Sequence, residues 1–323
     1  MSKRHDSQIK KNEWIVSQDF DKLRLDYWLK KKISFISYPS LCRLIRKGVV
    51  RVNGKRIKNS SLLNTGDVVR FSRIIADNFS SEQSEKYNKK FSEFIKNLVI
   101  FKDEEFLVIN KPSGLAVQGG TKIKLNIDLM LDSLKFNYKE RPRLVHRIDK
   151  QTSGLLIIAR TLSSSKYFGK LFKEREMVKT YVAIVKQRPK NKNGKIELDI
   201  EQDDKKFKSL TYFKVLFSND KLSILVLRPV TGRKHQLRIH LNYIGTPILG
   251  ETKFKGLECN QFQNLHLHAY HLRFNSKEGL TRDFYAPLPD YFESTMNKLK
   301  ININFNDNLE FNNLKKFELE NAN

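Results

Sequence analysis

Residues 143–159 read RLVHRIDKQTSGLLIIA. Leu155 to Ala159 form an apolar run with the length of a buried strand. The polar residues before it, ending in Thr152-Ser153-Gly154, read as the loop that delivers the chain into that strand. Asp149 is the only acidic residue between Arg141 and Lys173, in a stretch rich in Lys and Arg. A carboxylate so placed is either a turn residue or the one group that does chemistry on an anionic substrate.

Outward from this strand, Leu98–Phe101 and Phe106–Asn110 read as paired strands around Lys102-Asp103-Glu104. Ser164–Glu176 reads as a helix, because Tyr167, Phe168, Leu171 and Phe172 recur at helical spacing. Further strands are expected at 181–185, 210–216, 223–227 and 265–274, with a helix over Lys234–Ile244 stopped by Gly245. This order is not a βαβ repeat, so the expected class is α+β with a largely antiparallel sheet.

The chain has 323 residues, 39% hydrophobic and 30% charged, which suits a soluble globular protein of two or three domains. No apolar run approaches the roughly 20 residues needed to span a bilayer, and the N-terminus lacks the apolar core of a signal peptide. Cys42 and Cys259 offer neither a disulfide framework nor a zinc-knuckle pattern, so a cytoplasmic location is expected. The 61 Lys+Arg against 35 Asp+Glu give a formal net charge of +26, which favours a polyanionic partner.

The charge is concentrated. Between Leu41 and Ser60 lie Arg43, Arg46, Lys47, Arg51, Lys55, Arg56 and Lys58, and no acid. Pro39 can open a helix there, Leu41, Leu44 and Ile45 give it an apolar stripe, and Gly48 can stop it. Val49–Val52, the turn Asn53-Gly54 and Lys55–Ile57 read as a hairpin. Leu25, Trp28, Leu29 and Ile33 mark an earlier amphipathic helix. Residues 74–96 are polar and read as a linker with a short helix at its end. The tail after Lys300 is Asn-rich, and partial disorder is expected of it.

Three segments place polar residues at the ends of apolar strands: HRIDKQTSG (146–154), KTYVAIV (179–185) and RPVTGRKHQLRIH (228–240). No phosphate-binding glycine motif accompanies them, so nucleotide use is unsupported. His266, His268 and His271 have no neighbouring Cys, Asp or Glu in LHLHAYHLRF, which favours packing roles over a metal. A lone carboxylate suits a reaction whose leaving group never departs: breaking the N1–C1′ bond of uridine, turning the uracil, and rejoining it through C5. It could attack C1′ or remove the C2′ proton.

HRIDKQTSG, KTYVAIV and TGRKHQLRIH, in this order and spacing, resemble the motifs of the RluA/RluC/RluD family of ribosomal large-subunit pseudouridine synthases. INKPSGLAVQGG (109–120) and LHLHAYHLRF (265–274) resemble that family's first and last strand motifs, and the chain is most similar to the RluC type. Asp19 to Phe71 resembles the αL (S-four type) RNA-binding domain. The implied organisation is an extension (1–18), the RNA-binding domain (19–73), the linker (74–96), a catalytic domain of pseudouridine synthase fold (97–299) and the tail (300–323).

The resemblance implies a role for each matching residue. Asp149 matches the essential carboxylate, Arg147 the arginine that helps extrude the uridine, and Tyr181 the aromatic that stacks on the base. Arg233 matches the basic residue that pairs with the aspartate, while Lys111 and Arg238 are left as RNA or structural contacts. Arg43, Arg46, Lys47, Arg51, Lys55 and Arg56 are expected to contact RNA. The implied enzyme is a monomer without metal or other cofactor, acting on large-subunit ribosomal RNA or an assembling subunit. The alternatives are a transfer-RNA synthase of the same family and a noncatalytic RNA-binding or ribosome-assembly factor. Two positions depart from the family pattern: Ile148 stands where Leu is usual, and Gln151 where a second Asp is usual, which puts a loop contact in doubt.

Overall fold

A computed structural model of the chain describes residues 13–32, 38–71, 82–119, 125–254 and 262–309. Residues 1–12 of the extension, Ile33, the first part of the linker, Gly120, Cys259 and the tail from residue 310 lie outside them. The chain divides into two compact units, Met1–Asn97 with Ala116–Pro142, and Leu98–Leu115 with Arg143–Asn323.

In the first unit, strands β1 (Glu13–Ile15), β2 (Val50–Val52) and β3 (Val68–Phe71) form a sheet in the order β1-β3-β2. Helices α1 (Leu25–Lys32) and α2 (Tyr38–Arg46) accompany it. Leu25, Trp28, Leu29, Leu41, Ile45 and Val69 share its core, so the apolar stripes do face inward. Gly48, at φ +71°, ends α2 in the left-handed region, and Val49 N–H returns to Leu44 O at 3.1 Å. The expected hairpin is corrected. Asn53 and Gly54 do turn the chain with positive φ, but Lys55–Ile57 contributes only the Val52–Lys55 bridge, and β2 pairs with β3 instead. A tight turn reverses the chain; it does not oblige the returning segment to pair. The linker's end is the helix α3 (Glu82–Asn97), which packs on the short helix α4 (Ile127–Met130).

The second unit holds a sheet of 10 strands. They are β4 (Val99–Lys102), β5 (Phe106–Lys111), β6 (Arg143–Leu144), β7 (Ser153–Ala159), β8 (Val178–Lys186), β9 (Asn193–Gln202), β10 (Lys205–Ser218), β11 (Leu222–Pro229), β12 (Leu267–Asn275) and β13 (Thr281–Tyr285). The main order is β4-β5-β7-β12-β8-β11-β10-β9, with β6 on β7 and β13 on β12. Every pairing is antiparallel except β7 with β12. Helices α5 (Leu162–Lys173), α6 (Gln236–Tyr243) and α7 (Asp290–Lys298) complete the α+β unit. The first residues of the Asn-rich tail are packed: Ile301, Phe305 and Leu309 are buried, and Arg228 donates to Leu309 O at 3.0 Å.

The stretch 143–159 crosses the middle of this sheet. All seven residues of β7 are buried, as a strand covered on both faces requires. Its parallel contact with β12 is close at Gly154, whose φ is +108° and where a Cβ would lie 2.3 Å from Ala269 O. Gly154→Ala should therefore cost ~3 kcal/mol or more, since strain and overlap with backbone act together. Gly169→Ala, at a helical position with open space, should instead add up to about 1 kcal/mol. Urea denaturation of the two variants checks this contrast, and equal midpoints would rule it out.

Candidate active site

Three chain segments converge on a cleft of about 460 Å³ in the second unit. The loop from β6 to β7 supplies His146, Arg147 and Asp149; β8 supplies Lys179 and Tyr181; the loop from β11 into α6 supplies Arg233 and His235. Lys173 and Arg175, from the end of α5, also line it. Asp149 is the only carboxylate among the lining residues.

The loop that carries Asp149 is held by its backbone. Thr152 N–H closes a turn on Asp149 O at 3.1 Å, so Asp149 does occupy a turn position as well. Ser113 Oγ donates to Gln151 O at 2.7 Å, and Gly114 N–H to Lys150 O at 2.9 Å. Lys111 is fully buried, and its ammonium donates to Pro112 O (2.8 Å), Leu115 O (2.8 Å) and Lys150 O (3.2 Å). Three donors meet three acceptors, which fixes the INKPSG segment against the Asp149 loop. Burial pushes Lys111 down to about 7, while the charge of Asp149 pulls it up. These ties run through main-chain carbonyls, so they do not require an acid at position 151.

Asp149 Oδ2 lies 2.8 Å from His235 Nδ1 and 3.7 Å from Arg238 Nη1. An ionised carboxylate only accepts, so Nδ1 carries the proton and donates. The 3.3 Å approach of Arg238 Nη1 to Nδ1 is then a contact between two donors sharing one acceptor. Burial alone would raise the Asp149 carboxyl. The His235 hydrogen bond and the charges of His235, Arg238 and Arg147 outweigh that and hold it below the ordinary range. Asp149 is therefore an anion at neutral pH.

Arg233 is not the partner of Asp149 here. Its guanidinium lies over Phe207, 5.0 Å from the ring centroid, and its Nε donates to Lys208 O at 3.3 Å. Sequence spacing could not separate Arg233 from Arg238, because the choice depends on how the chain enters α6. His235, just before the helix, sits in the left-handed region at φ 57°. Gln236 fixes this entry: Oε1 accepts from Thr231 Oγ1 (2.7 Å) and Arg233 N–H (3.0 Å), and Nε2 donates to Leu210 O (3.0 Å). Arg238, three residues past His235, is thereby turned inward and is 4% exposed.

Glu251 completes the arrangement. It receives Arg238 Nε at 2.7 Å and Nη2 at 2.6 Å, and also Lys253 N–H at 2.7 Å. This two-pronged pair aims the remaining nitrogen of Arg238 at Asp149. A signal for Glu251 existed. It is the only acid between Asp220 and Glu258, the same isolation that singled out Asp149.

Tyr181 lines the cleft from β8, and burial first, then the charge of Asp149, raises its phenol well above the usual value. It stays neutral and can pack or donate. Arg147 is exposed at the cleft. His146 Nε2 accepts from Ile157 N–H at 2.8 Å, and its ring stacks on Phe172 at 4.4 Å. Burial and the Lys179 charge push His146 down to about 3, so it is a neutral strut. His266 bonds Thr295 Oγ1 (2.9 Å), His268 bonds Ser153 Oγ (2.9 Å) and His271 bonds Asp283 Oδ1 (2.6 Å), three separate structural contacts.

With this geometry in hand, similarity to known proteins is informative. A family profile described as RNA pseudouridylate synthase matches residues 105–243, which span the cleft. The ribosomal large subunit pseudouridine synthase C of Rickettsia conorii is 36% identical over 293 residues, covering 83% of this chain and 95% of that protein. Its namesake in Vibrio vulnificus is 31% identical over 303 residues, 88% of this chain and 95% of that one. Among solved structures, human RNA pseudouridylate synthase domain containing 4 superposes with a TM-score of 0.59 at 25% identity, covering 68% of this chain and 99% of that one.

Proposed function

Because the chain belongs to the RNA pseudouridylate synthase family, we propose that its cleft converts uridine to pseudouridine in large-subunit ribosomal RNA. The observation that carries this reading is the single ionised carboxylate, Asp149, in a cleft that is also lined by Arg147, Lys173, Arg175, Lys179 and Arg233 and by no other acid. The reaction breaks N1–C1′ and forms C5–C1′; C5 gives up a proton to solvent and N1 takes one, so the composition of the RNA is unchanged. Such an isomerisation calls for no nucleotide, metal or other cofactor. Asp149 acts at the ribose, by attack on C1′ or by removal of the C2′ proton. His235 and Arg238 keep it charged and aimed, and Tyr181 packs on the base as a neutral phenol. Arg147 takes the space that the uridine leaves when it swings out of its stack. Arg233, against Phe207, is assigned to the RNA backbone instead of to the aspartate.

The names of the relatives support a ribosomal target, and with it we propose a cytoplasmic location and a monomeric state. The purified protein on transcripts of large-subunit ribosomal RNA and of transfer RNAs tests this. Pseudouridine should be mapped in the ribosomal transcript; if it formed only in transfer RNA the target would be wrong, and if in neither the reading would fall.

The basic residues of the first unit are proposed as an RNA contact. Arg43 is half-buried, while Arg46, Lys47, Arg51, Lys55 and Arg56 are exposed. None of them forms an ion pair with a carboxylate among the described residues. Changing Arg43, Arg46 and Lys47 together to Glu should weaken RNA binding and flatten the slope of log K against log salt by roughly 2 to 3. Unchanged affinity at low salt would exclude this surface as a major contact.

A further inference from the structure

The chemistry at Asp149 leaves one half-buried charge of the cleft unused. Lys179 stands on β8 two residues before Tyr181, so the two side chains share a face of the sheet, and both line the cleft. Among the described residues Lys179 has neither an ion pair nor a side-chain hydrogen bond. A half-buried ammonium with no protein partner is costly to keep unless something else satisfies it.

Its surroundings repel it further. Burial first, and then the charge of another cation, Arg175, push it down to about 8. It still carries its proton at neutral pH. His146 on the same wall cannot compensate, since it is neutral and bonded to Ile157 N–H. The acids of the adjoining turn face elsewhere: Glu174 pairs with Lys170 at 3.6 Å, and neither Glu174 nor Glu176 lines the cleft.

Arg175 adds an independent observation. Helix α5 ends as α2 does, with Glu176 N–H returning to Leu171 O at 2.9 Å. In α2 the left-handed position belongs to Gly48; in α5 it belongs to Arg175, at φ 63°. A side chain there is strained relative to glycine, so the position has a cationic side chain at the cleft where a glycine would be easier on the backbone.

We propose that Lys179 and Arg175, with Lys173 at the rim, form an anion subsite that takes the RNA phosphodiester next to the flipped uridine. This rests on the pseudouridine synthase reading. The ligand chemistry is a singly charged phosphate diester. Its negative charge complements three cations that have no carboxylate partner among the described residues, and it fixes the position of the ribose relative to Asp149.

The test is a charge-removal cycle on both partners. The RNA is a transcript segment whose uridine the wild-type protein converts, with a single neutral methylphosphonate placed in turn at each linkage flanking it. Lys179→Met should raise KM roughly tenfold, the loss of one charge-assisted hydrogen bond, with a much smaller change in kcat. Lys179→Arg should restore KM. One methylphosphonate position should weaken binding to the wild type by a similar factor and leave Lys179→Met indifferent. If Lys179→Met does not fold, Arg175→Ala is carried through the same cycle. Equal losses for variant and wild type at every linkage would overturn the subsite, leaving the enzymatic reading intact. A wild type that forms no pseudouridine would instead remove the enzymatic reading, and the subsite with it.

Discussion

Asp149→Asn should yield a folded protein that binds RNA as the wild type does and forms no pseudouridine, a loss on the order of 10⁴-fold or more. The amide keeps the shape of the carboxylate, and its oxygen can still accept from His235 Nδ1, now 2.8 Å from Oδ2. What disappears is the negative charge that attacks C1′ or takes the C2′ proton. Tritium release from C5-labelled transcript measures this, with filter binding run alongside. Activity within tenfold of wild type would remove Asp149 from the chemistry. The pH profile follows from the same electrostatics. The folded carboxyl lies below its ordinary value of about 3.9. Its ionisation therefore adds stability that is present above that value and lost as pH falls through the folded pKa. The wild-type rate should show no acid limb from Asp149 between about pH 5 and 8.

Glu251→Ala should cost ~3–5 kcal/mol of stability, because it strands the Arg238 guanidinium, 4% exposed, without its buried counter-charge. Arg238 would then be free to pair with Asp149 directly or to leave it, and either shift spoils the aim of the carboxylate. Glu251→Gln keeps the packing and one acceptor, so it should fold at a smaller cost and lower kcat more than it raises KM. Urea melts and steady-state rates distinguish the two effects. A Glu251→Ala protein with wild-type midpoint and rate would show that Arg238 needs no second acid.

Local signals were legible where one segment decides its own structure. The Lys102-Asp103-Glu104 turn, the all-apolar β7 and the Gly48 stop each follow from neighbours in sequence. The strand β9 was legible too, since Ile196, Leu198 and Ile200 alternate with charged residues in the manner of an edge strand, yet it was not among the expected strands. The partner of β2 was hidden, because β3 comes from further along the chain, where Val69 joins the core shared with α1 and α2, while Lys55–Ile57 keeps only the Val52–Lys55 bridge. At the site, its isolation in sequence singled out Asp149, and the family resemblance added Arg147 and Tyr181; all three line one cleft. The resemblance gave the aspartate Arg233 as its partner, whereas Gln236 and the left-handed His235 turn Arg238 toward it instead.

The Asp149–His235 bond joins residues 86 positions apart, and the β7–β12 pairing that seats the same loop joins Ser153 to His268. Five strands, β7 to β11, must be laid down between the carboxylate and the groups that keep it charged. A chain still leaving the ribosome, or one trapped partway through refolding, has the carboxylate but not its electrostatic setting. Contacts this distant form late, so catalytic competence arrives with the closing of the sheet and not before. The enzyme is thus silent toward nearby uridines until its own topology is complete.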